Sequence, residues 1–243
     1  MNVILCTTLP SLQSALARKL LPIGINLIKK STLAEIADAI PAFGRVCFID
    51  DISFDKKELV ETITEIKKEK QKQGSRIVIL TKNADENFTK LLMKAGVDTV
   101  LHSSLHHETI VDKFYTFLSE TISDQHEERK FIRIKPEPNE DATLKYLSPK
   151  TNSYITGKVT DISMGGVAGA FTASDMETLA EGQTLSNAQI NLSSKNILAD
   201  LSLVKKGGNI AAFSFTKIRE TFKDSLAEYI YNKTQKINEV KTP

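Results

Sequence analysis

The sequence predicts a doubly wound α/β domain followed by an all-β domain that closes on a long helix, and three observations carry this expectation. Through residues 1–122, short apolar runs alternate with amphipathic stretches. After a polar break at 123–128 (SDQHEE), β-rich runs follow one another with turn residues and no helix between them. At the end, Ile218–Ile237 carries Phe222, Leu226, Tyr229 and Ile230 at helical spacing. A chain of 243 residues has room for two ordinary domains.

In the first half, strand-like runs fall at Val3–Cys6, Ile25–Ile28, Val46–Ile49, Ile77–Leu80 and Thr99–Leu101. They lack the polar alternation of a half-exposed strand, which suits a parallel sheet covered on both faces. Helix-like stretches lie at Leu12–Leu21, Leu33–Ile40, Lys57–Gln73, Asn87–Ala95 and His107–Ile122, with Gly24, Gly44, Gly74 and Gly96 at the connections. In the second half, β-rich runs recur at Ala142–Tyr146, Tyr154–Asp161, Gly166–Phe171, Ala188–Leu192, Ile197–Val204 and Ile210–Phe215. Turn signals at Ser148–Pro149, Gly182 and Gly207–Gly208 separate them, as in an antiparallel sandwich or small barrel. The expected domains are therefore 1–122 and 129–243, joined by a linker at 123–128.

Composition narrows the function classes. Hydrophobic residues make up 41% and charged residues 26%, a globular profile. A net charge of +2 argues against an electrostatically driven binder of nucleic-acid polymers, so any anion site must come from a local cluster. No run approaches the roughly 18 apolar residues of a membrane span. The start, MNVILCTTLP, has no basic region ahead of its short apolar run. Cys6 and Cys47 sit in apolar strands without metal-ligand spacing and read as buried thiols in a reducing compartment. A cytoplasmic bacterial protein is expected.

The informative residues lie at the start of the second half. Arg129-Lys130-Phe131-Ile132-Arg133 sets two guanidinium groups four residues apart, and Asp161-Ile162-Ser163-Met164-Gly165-Gly166 follows the run Gly157–Thr160. Two phosphates call for planar, permanently charged forks, which arginine supplies. The same fork matches guanine O6 and N7. A carboxylate accepts from the guanine N1–H and amino group, a serine hydroxyl adds a bond, and glycine permits close approach of the backbone. Each half alone is weak: Arg-x-x-x-Arg also occurs in solvated turns, and Asp161 and Ser163 could simply bond local backbone.

Together, in this order and about 30 residues apart, the two motifs resemble those of a PilZ domain, over Arg129 to about Lys233. The resemblance implies a six-stranded β-barrel with a C-terminal helix and cyclic di-GMP as ligand. It implies that Arg129 and Arg133 clamp phosphate and guanine, that Asp161 and Ser163 fix a guanine, and that Gly166 completes the motif. The segment around Arg129 would then wrap onto the barrel. Lys135–Asp141, with Pro136 and Pro138, departs from the pattern and leaves the course of the first strand open.

The first half resembles a response-regulator receiver domain that has lost its chemistry. Asp50, ending the third strand, matches the phosphoacceptor, and Thr81, after the fourth, matches the hydroxyl of that family. Thr7-Thr8 stand where an acidic pair is expected, and Ser103 stands where a lysine is expected. Phosphoryl transfer needs a metal and a cation on the phosphoryl oxygens, although Asp51 could contribute one carboxylate. A pseudo-receiver used for protein contacts is expected.

His102, His106 and His107 have helical spacing but lack the fuller ligand set a metal site needs, so a surface helix start is favoured over a metal site. Lys205-Lys206-Gly207-Gly208 reads as a hairpin turn, and Lys67–Lys72 as the solvated end of a helix. No catalytic residue, metal or cofactor is called for. The expected function is a non-enzymatic cyclic di-GMP receptor that signals to a protein partner through the pseudo-receiver or the last helix. The alternatives are a regulator phosphorylated at Asp50 and an adaptor that no longer binds nucleotide.

Overall fold

The computed structural model describes residues 1–44, 46–69, 72, 74–82, 85–121, 131–193 and 195–240. The chain divides into two compact units, residues 1–128 and 129–241. The proposed linker at 123–128 lies outside the described residues.

The first unit runs β1 (Asn2–Cys6), α1 (Pro10–Leu20), β2 (Asn26–Lys29), α2 (Leu33–Phe43), β3 (Val46–Asp50), α3 (Lys56–Lys68), β4 (Arg76–Thr81), α4 (Glu86–Ala95), β5 (Thr99–His102) and α5 (His107–Thr121). All pairings are parallel, in the order β2-β1-β3-β4-β5. This is the receiver-like, doubly wound architecture expected from the sequence. Strand β3 is buried throughout, and β4 from Ile77 onward, because helices cover both faces of the sheet. One face buries Ile4, Cys47, Ile49, Ile63, Ile79 and Phe88 together. Elsewhere in the unit, Phe48 meets Phe114 of α5 edge-on at 4.9 Å. Burial pushes the Cys6 and Cys47 thiols up to about 12, as inert core residues.

Helix starts follow local chemistry. Thr32 and Glu35 form a capping box ahead of α2, and the Asp55 carboxylate accepts the amides of Lys57 and Glu58 at the start of α3. Helix α3 is shorter than the expected Lys57–Gln73. Its last buried residue is Ile66, and beyond Lys68 the backbone of Glu69 turns extended (φ −72°, ψ 121°). A helix end with no apolar side chain to bury has little to hold it.

The second unit contains β6 (Ala142–Leu147), β7 (Tyr154–Ser163), β8 (Gly166–Ala170), a short α6 (Ala173–Met176), β9 (Thr184–Leu192), β10 (Lys195–Gly207), β11 (Ile210–Ile218) and α7 (Glu220–Val240). The strands close a six-stranded antiparallel barrel in the order β10-β11-β8-β7-β6-β9, with β9 pairing back to β10. Alternating burial along β6 and β9 marks an inside and an outside. Tyr146, Phe171 and Phe213 fill the interior, with ring centroids 5.8–6.3 Å apart. Gly157 makes room for them: a Cβ there would stand 2.3 Å from the Phe171 ring. Helix α7 packs on β10 and buries Leu226, Ala227 and Ile230.

One expectation is corrected by register. Lys205 and Lys206 are not turn residues; they pair with Ala212 and Ala211, and the turn is Gly208–Asn209, where Gly208 adopts φ +58°. The first barrel strand begins at Ala142, as the sequence expects, and the course left open before it is now visible: 131–141 runs irregularly and touches the sheet by one bridge at Ile134. Among the described residues no helix is long and apolar enough to cross a membrane.

Candidate functional site

The Asp-x-Ser-x-x-Gly motif builds the β7–β8 hairpin. Asp161 and Ser163 lie within β7 rather than after it, Met164 and Gly165 form the two-residue turn, and Gly166 opens β8. A register shift between Val159 and Asp161 marks a bulge, a device that re-aims side chains at strand ends. Ser163 Oγ accepts the Gly165 amide at 3.2 Å and faces the Gly166 carbonyl at 3.5 Å, so it braces its own turn. Gly166 is required by a neighbouring strand: a Cβ there would stand 2.1 Å from the Phe213 carbonyl oxygen on β11. The close approach visible at this glycine is backbone against backbone.

The arginine arm reaches this hairpin by main-chain bonding. The Ile134 amide donates to the Ile162 carbonyl at 2.8 Å, and the Ile162 amide donates back to Ile134 at 2.9 Å. Both side chains are buried. The bridge brings together residues from the two sequence motifs. Arg133 Nη1 lies 4.0 Å from Asp161 Oδ1, with 63% of the arginine side chain and 28% of the aspartate exposed. At that separation the pair is loose, leaving fork and carboxylate open to other partners. Of the predicted site residues, Arg133, Asp161, Ser163 and Gly166 are thus gathered at one hairpin. Arg129 lies outside the described residues.

Two further residues complete the arrangement. The Phe131 ring rests against Gly165, where a Cβ would stand 2.8 Å from the ring edge. The sequence hinted at this only through an aromatic between the two arginines and a second glycine in the turn. Chemically, the site offers a cationic fork, an anionic acceptor and a hairpin whose first glycine carries no side chain between ring and backbone. That combination suits a planar base carrying both donor and acceptor edges, joined to phosphate.

The carboxyl edge of the parallel sheet carries the receiver-like residues. Asp50, 3% exposed, accepts the Thr7 hydroxyl at 2.9 Å and the Ile52 amide at 3.2 Å. Burial raises its pKa and the neighbouring Asp51 adds to the rise, opposed by the bonds from Thr7 and Ile52. Asp51 accepts the hydroxyl of Thr81, which is the last residue of β4. The Ser103 amide donates to the Thr81 carbonyl at 2.8 Å. Both carboxylates are therefore tied to threonines. A cavity of about 270 Å³ beside Asp50 and Thr7 is lined by Thr8, Lys29, Lys30, Ser31 and Phe54, among others. His102 Nδ1 meets Ser104 Oγ at 2.5 Å, and among the described residues no cluster of three metal-ligating side chains occurs.

No protein-family model matches the sequence, and no curated protein matches it. Solved structures do. The PilZ domain of YcgR from Escherichia coli with c-di-GMP matches at 18% identity and a TM-score of 0.40, over 47% of this chain and 97% of that one. MrkH from K. pneumonia in complex with c-di-GMP matches at 16% identity and 0.43, over 47% of this chain and only 56% of its own length. A response regulator from Thermotoga maritima matches at 15% identity and 0.41, over 49% of this chain and 97% of that one. At such identities and scores these likenesses carry no functional weight, and what the site can do is read from this chain's own residues. The solved structures that this chain resembles include PilZ domains and CheY-like receiver domains.

Proposed function

We propose that this protein is a non-enzymatic receptor for cyclic di-GMP, with the β7–β8 hairpin and the arm before it as the binding site. The observation that carries the proposal is the Ile134–Ile162 bridge, which brings Arg133 of one motif to Asp161 of the other. Arg133, with Arg129, would take the phosphates and the O6/N7 edge of a guanine; Asp161 would accept from the N1–H and amino group. Ser163 holds the turn on which the base would lie. The division of labour follows the domains 1–122 and 129–243: the barrel binds, and the receiver-like domain or α7 passes the signal to a protein partner.

Phosphorylation at Asp50 is disfavoured by what surrounds it. The carboxylate is buried and bonded to Thr7, and the acidic metal ligands a receiver needs are replaced. Titration calorimetry of cyclic di-GMP against the whole chain tests the proposal. Saturable binding abolished by replacing both Arg129 and Arg133 is expected; an absence of binding heat at any temperature tried, with no shift in melting, would refute it.

A further inference from the structure

The arm that carries Arg133 is also fastened at its far end, to the last helix. Lys233 Nζ on α7 lies 2.8 Å from Glu137 Oε1 and 2.7 Å from Glu140 Oε2. The partners are 96 residues apart in sequence for Glu137, and the Glu140 side chain is only 4% exposed. Glu140 also accepts the Ser193 hydroxyl at 2.7 Å and the Glu137 amide at 3.2 Å. Burial alone would raise the Glu140 carboxyl, but the bonds from Lys233, Ser193, Tyr229 and the Glu137 amide together outweigh it and hold it at about 2. Between these anchors, Lys158 Nζ donates to the Pro138 carbonyl at 3.2 Å.

This geometry leaves the strap little slack. Arg133 and Glu137 are four positions apart, with three residues between them, a reach of at most about 14 Å even when extended. Pro136 fixes one φ within that span and Pro138 another just beyond it. Ile134 pins the near end to β7 and Lys233 the far end to α7. A short, stiff segment held at both ends transmits a displacement instead of absorbing it.

We propose that Lys233, Glu137 and Glu140 form a latch that positions the Arg133 arm, and that the latch couples nucleotide binding to helix α7. The coupling rests on the receptor function proposed above; the positioning does not. Lys233 is a positioning residue, acting through Arg133 and not on the ligand. Because coupling is reciprocal, ligand that holds the arm must also stabilise the seating of α7.

The test has two readouts on the full chain. In ligand-free protein, Lys233→Met is expected to speed hydrogen exchange at the Ile134 and Ile162 amides, the two bonds of the bridge, while circular dichroism stays that of the wild type. In calorimetry, the same variant is expected to weaken cyclic di-GMP binding by about fivefold or more. Lys233→Arg should restore most of that affinity. In an Arg133→Ala background, Lys233→Met should cost nothing further, an absence of additivity that a general loss of stability would not produce. If Lys233→Met does not fold, Glu137→Gln replaces it, with a smaller effect of the same sign. Unchanged exchange at Ile134 in a folded latch variant would overturn the latch. Additive losses with Arg133→Ala would overturn the coupling. Faster exchange in a protein whose wild type binds no cyclic di-GMP would uphold the latch and refute the receptor function instead.

Discussion

Replacing Arg133 by alanine separates what this side chain does for the fold from what it does for a ligand. In the free protein its charged partner is Asp161, at 4.0 Å, with the arginine side chain 63% exposed. Two unit charges at that distance in water interact by about 1 kcal/mol, and exposed pairs net 0–1 kcal/mol once side-chain entropy and salt are counted, by rough measure. Arg133→Ala should therefore shift the urea unfolding free energy of the protein by less than about 1 kcal/mol. Toward a nucleotide the same fork would make charge-assisted hydrogen bonds, each contributing roughly 1.5–3 kcal/mol. Losing even one weakens binding by at least about tenfold. Paired calorimetry and urea unfolding read both quantities on one preparation. Wild-type affinity for cyclic di-GMP in the variant would refute the site. So would a loss of affinity matched by several kcal/mol of lost stability, since Arg133 would then be a structural residue.

Other outcomes follow from the same coordinates. Cyclic di-AMP should compete poorly with cyclic di-GMP, because adenine presents a donor at N6 where guanine presents an acceptor at O6; Asp161→Ala should relax that preference, and equal competition at equimolar ligand would mark a generic anion patch. Acetyl phosphate or beryllofluoride with magnesium should leave the first unit unmodified, since Asp50 is buried against Thr7; stoichiometric, magnesium-dependent phosphate on Asp50 by mass spectrometry would reverse that conclusion. Glu140 should contribute acid-sensitive stability: its pKa falls from 4.5 to about 2 on folding, so the contribution is complete above pH 4.5 and is lost as pH falls through about 2. The difference corresponds to at most about 3 kcal/mol. Glu140→Gln should flatten the pH dependence of urea unfolding in that window, and an unchanged slope would show that the carboxylate is not held as described.

Much of the architecture was legible because it depends on local pattern. Runs such as Val46–Ile49 and Ile77–Leu80 carry no polar alternation, and only a sheet covered on both faces tolerates that. The glycines at 24, 96 and 208 lie at positive φ in turns, as their residue type foretold. Boundaries were less legible where the decisive contact is distant. The charged run after Ile66 has helical propensity, yet α3 stops at Lys68 because nothing apolar follows to be buried. Lys205 and Lys206 look like turn residues, yet cross-strand pairing with Ala212 and Ala211 draws them into β10.

The candidate site divides in the same way. The residue types and their order, Arg133 with Asp161, Ser163 and Gly166, are properties of the sequence and name the chemistry a ligand would meet. Tertiary structure alone decided that Arg133 stands beside Asp161, because the Ile134–Ile162 bridge joins segments 28 residues apart. It also decided that Gly166 is dictated by the Phe213 carbonyl, that Phe131 rests on Gly165, and that Thr7 occupies Asp50. Least visible of all was the pairing of Lys233 with Glu137 and Glu140: a lysine on an amphipathic helix and two glutamates in a charged loop look like solvated surface. Periodicity and turn chemistry act over a few residues and are written in the chain, whereas an ion pair between distant segments exists only once barrel closure has set the distance between them.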